Sequence, residues 1–293
     1  MTLFISVIIP ILDSPTVGDT IHALEHQTYD PSQFEVIVVG IDNHNLVKVS
    51  KLVRFDRSEK KLSPAQARNR GARQARGNIL AFLDSDCIPN PNWVEVIAKL
   101  FSNPNIHVIG GGVTFEEKNY WTLADNISMF YEYYYKNPPG VRLILPSLNF
   151  AIRKEVFDEV GGFDERYKIP SGEDADFTIR LRNKGYLLIF EPYAIVNHQP
   201  YRNNIIVLLR HSYFQGKYST KVDHRYYNNG GLPWPFRTRL GVILFAPFIG
   251  FAVTIRIFIK YRSLLKYWHT MPIIYLSKLA WCVGAANHPN WHE

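Results

Sequence analysis

Residues 78–88 read NILAFLDSDCI. Ile79 to Leu83 form an unbroken apolar run, the pattern of a strand covered on both faces. The run stops on Asp84-Ser85-Asp86. Two carboxylates one residue apart, just past the carboxyl end of a buried strand, stand where open α/β sheets bind their ligands. Such carboxylates are hard oxygen donors, suited to Mg²⁺ or Mn²⁺ carrying a diphosphate. The same residues also suit a plain solvated turn, because Asp is a common turn residue. The rest of the chain has to decide between the two.

Upstream of this stretch, Ser63-Pro64 is an N-cap followed by proline at the first helical position, and Gly77 stops the helix that runs to about Arg76. FISVIIP (4–10) and FEVIVVG (34–40) are two more buried strands, with a helix over 16–26 and a short strand over 52–55. Downstream, a helix is predicted over 92–102. Alternation of this kind argues for parallel, right-handed βαβ units on one sheet. Beyond residue 107 the pattern loosens. It predicts a strand over 107–115, an aromatic helix over 120–135, a strand over 148–152, a helix over 154–160 and a turn at Gly161-Gly162-Phe163-Asp164. A helix over 173–184 is closed by Gly185, and short strands over 186–190 and 194–197 end just before His198.

A chain of 293 residues holds one large or two modest domains. With 46% hydrophobic and 20% charged residues it is globular, not disordered. Cys87 and Cys282 offer neither a disulfide framework nor zinc spacing, which suits a reducing compartment. The run 4–10 is too short, and lacks the basic flank, for a signal peptide. The net charge of +7 is lopsided: residues 232–293 hold seven bases against one acid. The body is therefore near neutral, with no call for nucleic acid, while the basic, aromatic, apolar tail points to an anionic membrane surface. A composition shift at Gly230-Gly231 predicts a catalytic domain over 1–230 and membrane-associating helices over 231–293.

Three further groups carry chemistry. Glu173-Asp174 opens the helix of GEDADFTIRL, with Asp176 close behind. Acids in a first turn complement the macrodipole, and Ser171 is a candidate cap; alternatively one carboxylate is a general base toward an incoming hydroxyl. His198, past a short apolar strand, is either structural or a third metal ligand. Arg68, Asn69, Arg70 and Arg73 form a basic helix face that is either solvated or, through Arg68 or Arg70, turned to a diphosphate.

Taken together, these segments resemble the family 2 glycosyltransferases of GT-A fold, in their membrane-associated bacterial form. The resemblance spans about residues 4–198. It rests on SVIIP (6–10), FEVIVV (34–39), ARNRGARQARGNILAFLDSD (67–86), LNFAIRKEVFDEVGGFDE (148–165), GEDADFTIRLRNKGY (172–186) and the closing His198. It implies a Rossmann-like mixed α/β sheet flanked by helices, followed here by C-terminal apolar helices. It also implies transfer of a sugar from a nucleotide-diphosphate donor to an acceptor hydroxyl, glycan or lipid-linked, with inversion and with Mn²⁺ or Mg²⁺. Carried over, Pro10 and Asp42 border the nucleotide base, Arg68 faces the donor, and Asp84 and Ser85 hold it. Asp86, Asp84 and His198 hold the metal. Asp174 is the catalytic base, with Glu173 beside it. One departure is visible: the family commonly has an acid directly after the second strand, whereas Gly40-Ile41 precede Asp42-Asn43 here. Either the strand is longer or the base contact is altered.

Two rival readings are a catalytically silent membrane scaffold and a nucleotidyltransferase. The intact acidic pairs argue against the first. The absence of a glycine- and base-rich loop at Ile11-Leu12-Asp13-Ser14 argues against the second. The acceptor is expected against the aromatic stretch 120–135, which an aromatic core explains equally well. In the tail, residues 240–259 are apolar but for Arg256, and at 1.5 Å per residue such a helix is about 30 Å long, a bilayer's core thickness. A span would put Lys260, Arg262 and Lys266 opposite the catalytic domain, against the positive-inside rule. Two readings survive, a strained spanning hairpin or helices lying in the interface. The expectation is attachment at the cytoplasmic face of the cell membrane, by interfacial or re-entrant helices in preference to a full span.

Overall fold

The computed structural model describes residues 3–115, 117–219 and 238–288. The chain divides into two compact units, Met1–Thr114 with Tyr133–Gln199, and Phe115–Glu132 with Pro200–Glu293. The boundary expected at Gly230-Gly231 lies outside the described residues.

The first unit is built on a mixed sheet with helices. In chain order it contains β1 (Ile5–Leu12), α1 (Val17–Glu25), β2 (Phe34–Ile41), β3 (Val53–Arg57), α2 (Pro64–Gln74), β4 (Ile79–Leu83), β5 (Cys87–Pro89), α3 (Trp93–Phe101) and β6 (Val108–Phe115). The helix α4 (Tyr120–Phe130) belongs to the second unit. The first unit continues with β7 (Gly140–Val141), β8 (Asn149–Arg153), α5 (Lys154–Val160), α6 (Glu173–Asn183) and β9 (Ile189–His198). The strand order is β3-β2-β1-β4-β8-β6-β9-β5, with β7 pairing β9. The four strands from β3 to β4 pair in parallel, β8 runs antiparallel to β4, and β5 antiparallel to β9. All five residues of β4 are buried, as its unbroken apolar run requires.

Local chemistry sets the details. Ser63 and Gln66 form a reciprocal capping box, and Pro64 opens α2. The strand β2 runs two residues beyond the family spacing: Gly40 and Ile41 pair with Ile11 and Leu12. Gly40 takes φ +140°, and a Cβ there would stand 1.9 Å from the Ile11 carbonyl oxygen, so only glycine lets the strand continue. The longer strand is therefore the answer, and Asp42 follows its end directly. Two sequence expectations are corrected. Ser171 does not cap α6; Gly172 occupies that position at φ +91°, with no side-chain cap. The two short strands before His198 are one strand, β9, and His198 is its last residue, because pairing with β5 extends to that position.

The second unit is helical: α4, α7 (Ile205–Lys217), α8 (Arg239–Lys260) and α9 (Met271–Ala286). α4, α7 and α8 each pack on α9. α7 and α9 touch backbone to backbone: a Cβ on Gly216 would lie 1.9 Å from the Trp281 carbonyl oxygen, and one on Gly284 the same distance from that of Tyr213. The interior combines an apolar cluster of Val242, Ala246, Cys282, Ala285 and Ala286 with buried polar groups. Ser277 joins hydroxyls with Ser128 (2.8 Å) and Ser212 (2.7 Å), and buried Asp125 meets His211 (2.9 Å) and Arg202 (3.0 Å). Of the aromatic stretch, Tyr120 lies near Trp121 and His269 and Tyr131 near Tyr261 in this unit, whereas Tyr133 to Tyr135 belong to the first unit, with Tyr133 near Phe190.

Candidate active site

The turn after β4 is held by its backbone. The Ser85 carbonyl accepts from the hydroxyls of Ser14 (3.3 Å), Thr16 (3.1 Å) and Thr20 (3.1 Å). The Asp84 amide donates to the Leu148 carbonyl at 3.2 Å, and the Cys87 amide to the Asp84 carbonyl at 3.1 Å. A turn fixed in this way holds its carboxylates in place without using them up.

Arg68, 3% exposed, projects from α2 and joins the two acidic motifs. Its Nη2 donates to Asp84 Oδ1 at 2.7 Å and its Nη1 to Glu173 Oε1 at 3.0 Å, with the Phe163 ring under the guanidinium. A buried arginine holds its charge only against carboxylates, so these three groups depend on one another. Asp174, half-buried, follows at the start of α6; its carboxylate accepts from the Ala175 amide at 2.7 Å and the Ser147 amide at 3.4 Å. Burial pushes Asp174 above the usual carboxylate range, against the pull of Arg68. Burial, with Asp174 adjacent, pushes Glu173 up to about 7. Raised carboxyls beside a guanidinium are the environment in which acid–base groups are tuned.

Of the other sequence candidates, Pro10 sits within β1 opposite Val39. Asp42 is 2% exposed; its Oδ2 accepts from the Val47 amide at 2.8 Å, while Oδ1 is buried with no hydrogen-bond partner among the described residues. A buried acceptor left open is costly unless a donor arrives, which suits a ligand N–H. Arg70 does not face the acidic turn but is paired with Asp56.

The metal candidates separate. His198, buried at the end of β9, places Nε2 3.7 Å from Asp86 Oδ1, whereas Asp84 turns to Arg68. Cys87, which has no zinc spacing in the sequence, lies opposite His198 in the β5–β9 ladder. The ligand atoms of Asp86, Cys87 and His198 all lie within 4.8 Å of one another. A carboxylate and an imidazole so placed fit a divalent cation.

The family model described as "Glycosyl transferase family 2" matches residues 6–161, the segment that carries β1, β2, Arg68 and the acidic turn. The chain belongs to this family. Among its relatives, glycosyltransferase AglE of Haloferax volcanii is 32% identical over 198 residues, 64% of each chain. The glucosyl-dolichyl phosphate glucuronosyltransferase of the same organism is 26% identical over 70% of this chain and 71% of its own length. The chain thus spans less than two thirds of the length of AglE. Two solved structures share the fold. Mannosyltransferase PcManGT from Pyrobaculum calidifontis, with GDP-Man and Mn²⁺, has a TM-score of 0.58 at 16% identity, covering 96% of this chain and 86% of that one. GalNAc-T7, with UDP, GalNAc and Mn²⁺, has a TM-score of 0.53 at 21% identity, covering 67% of this chain and 44% of that one. The mixed sheet is thus that of the GT-A glycosyltransferases.

Proposed function

We propose that this family 2 member transfers a sugar, with inversion, from a nucleotide-diphosphate sugar to an acceptor hydroxyl, with Asp174 as the base. The observation that carries the reading is Arg68, which ties the donor-side Asp84 to the Glu173-Asp174 pair in one buried cluster. Asp42, with an open acceptor oxygen at the end of β2, is placed to take an N–H of the nucleotide base, with Pro10 on the neighbouring strand. Arg68 keeps Asp84 and Glu173 fixed and leaves Asp174, one residue on, to take the acceptor's proton. Asp86 and His198 would hold the divalent cation, which when bound supplies a Lewis acid for the leaving diphosphate. The Mn²⁺ in both solved structures of this fold supports a divalent cation.

The test is a screen of UDP-, GDP- and dTDP-sugars with Mn²⁺ or Mg²⁺, reading metal-dependent hydrolysis and transfer. Turnover of one donor class is the expected result. Nucleotide binding with no turnover of any donor, in the presence of membrane lipids, would instead support the silent scaffold.

Attachment at the cytoplasmic membrane face belongs to the same reading. α8 is the one described helix long and apolar enough to cross a bilayer. Val242, Ala246, Gly250, Thr254, Ile257 and Phe258 are its buried residues, while Leu240, Leu244, Phe248, Phe251 and Ile259 are exposed. A row of large apolar side chains left exposed along one helix suits lipid contact. Lys260 ends α8 and Arg262 and Lys266 follow it, where anionic headgroups would meet them. A lipid-linked acceptor would then share the surface with the enzyme, which the dolichyl phosphate substrate named for one relative supports.

A further inference from the structure

Cys87 has no part in the transfer just described, yet it sits inside the proposed metal site. It opens β5 and is paired in register with His198 on the antiparallel β9. Directly opposed residues on antiparallel strands present their side chains on one face, so the ladder puts thiol and imidazole together, and Asp86 immediately precedes the thiol. The Cys87 Sγ is 4.0 Å from Asp86 Oδ1, and His198 Nε2 is 3.7 Å from the same oxygen. Two ligands at zinc's usual bond lengths, about 2.1 Å for nitrogen and 2.3 Å for sulfur, stand roughly 3.6 Å apart in a tetrahedral shell. The cluster therefore needs only small side-chain adjustments to close on an ion.

We propose that Cys87 is a third ligand in this centre, making it a sulfur–nitrogen–oxygen site that accepts thiophilic cations such as Zn²⁺, Co²⁺ and Cd²⁺ through sulfur. The proposal rests on the reading of the acidic turn as the metal site. Thiolate is a soft donor and selects ions of that kind, while Mg²⁺ and Mn²⁺ are served by oxygen and nitrogen. Mn²⁺ is thus held by Asp86 and His198 with sulfur outside its shell, and Zn²⁺ draws sulfur in. When the sulfur enters, the thiol proton leaves to solvent. Any nitrogen–oxygen site prefers Zn²⁺ to Mn²⁺ on the general stability order, so that preference alone decides nothing. The distinguishing quantity is what loss of the sulfur removes.

The experiment uses the full-length protein, stripped of metal and titrated with Zn²⁺, Co²⁺ and Cd²⁺ alone, then with Mn²⁺ plus UDP or GDP. Wild type should develop a near-ultraviolet sulfur-to-metal charge-transfer band with Co²⁺ and Cd²⁺. Cys282→Ala, which removes the other thiol, should keep that band. Cys87→Ser should lose it and bind Zn²⁺ more weakly by at least the roughly 10–100-fold that losing a ligand's supporting partner costs, with Mn²⁺–nucleotide binding changed by less than about twofold. The wild-type spectrum decides even if Cys87→Ser fails to fold. Mn²⁺–nucleotide binding without any charge-transfer band overturns the proposal and makes Cys87 a small buried apolar residue. Absence of all metal binding overturns the metal site itself.

Discussion

At the scale of single residues, the site turns on charge in a buried place. Asp174→Asn keeps the size and one acceptor oxygen for the Ala175 amide but removes the base. Transfer is expected to fall about 10²–10⁴-fold while nucleotide and Mn²⁺ binding stay near wild type; initial rates and calorimetry on the same preparation check this. Near wild-type turnover would sink the assignment. Glu173 makes a second prediction. Its carboxyl is raised from 4.5 to about 7 in the folded chain, so between those values the folded state holds a proton that the unfolded state has lost. Its contribution to stability is complete below about 4.5 and is lost as pH rises toward 7. Wild type should therefore lose stability relative to Glu173→Gln between pH 5 and pH 7.5 in denaturant titrations. Parallel profiles would show that Glu173 is already ionised at pH 5, through Arg68.

Secondary elements carry their signals unequally. Apolar runs, the capping box at Ser63 and Gln66, and the acidic start of α6 are local properties, and each appears where the sequence puts it. The length of β2 is not local: the strand read from sequence ends at Gly40, and pairing with β1 carries it on to Ile41. The join of the last two strand segments into β9 depends likewise on a partner strand. Gly216 gives the test at this scale. Alanine is favoured over glycine inside a helix by about 1 kcal/mol, yet at this position its methyl would collide with the backbone of α9. Overpacking of this kind costs about 1–3 kcal/mol, so Gly216→Ala should lower the melting temperature despite its better propensity. A raised melting temperature would mean that α7 and α9 do not cross this closely.

For the molecule as a whole, the question is where the helical unit resides. A soluble chain with Leu240, Leu244, Phe248, Phe251 and Ile259 exposed on one helix would aggregate. The chain is expected to sediment with membranes after low-salt lysis and to need detergent for release. Phe248→Glu with Phe251→Glu should shift it to the soluble fraction without unfolding it, because both rings are exposed, at 72% and 63%. Wild type found soluble without detergent refutes attachment.

The amino-acid sequence alone determined the sheet-and-helix class, the family, the acidic turn at Asp84-Ser85-Asp86 and the pair at Glu173-Asp174, because hydrophobic period and short motifs are read within a few residues. It left open which charged side chains meet. Arg68 stands 16 positions from Asp84 and 105 from Glu173, and only the packing of α2, β4 and α6 brings the three together. Cys87 carries no spacing signal toward His198; the β5–β9 register makes them neighbours. Strand order and register follow from which apolar faces exclude water together and which backbone groups find partners, and these are properties of the folded chain rather than of any one stretch of it.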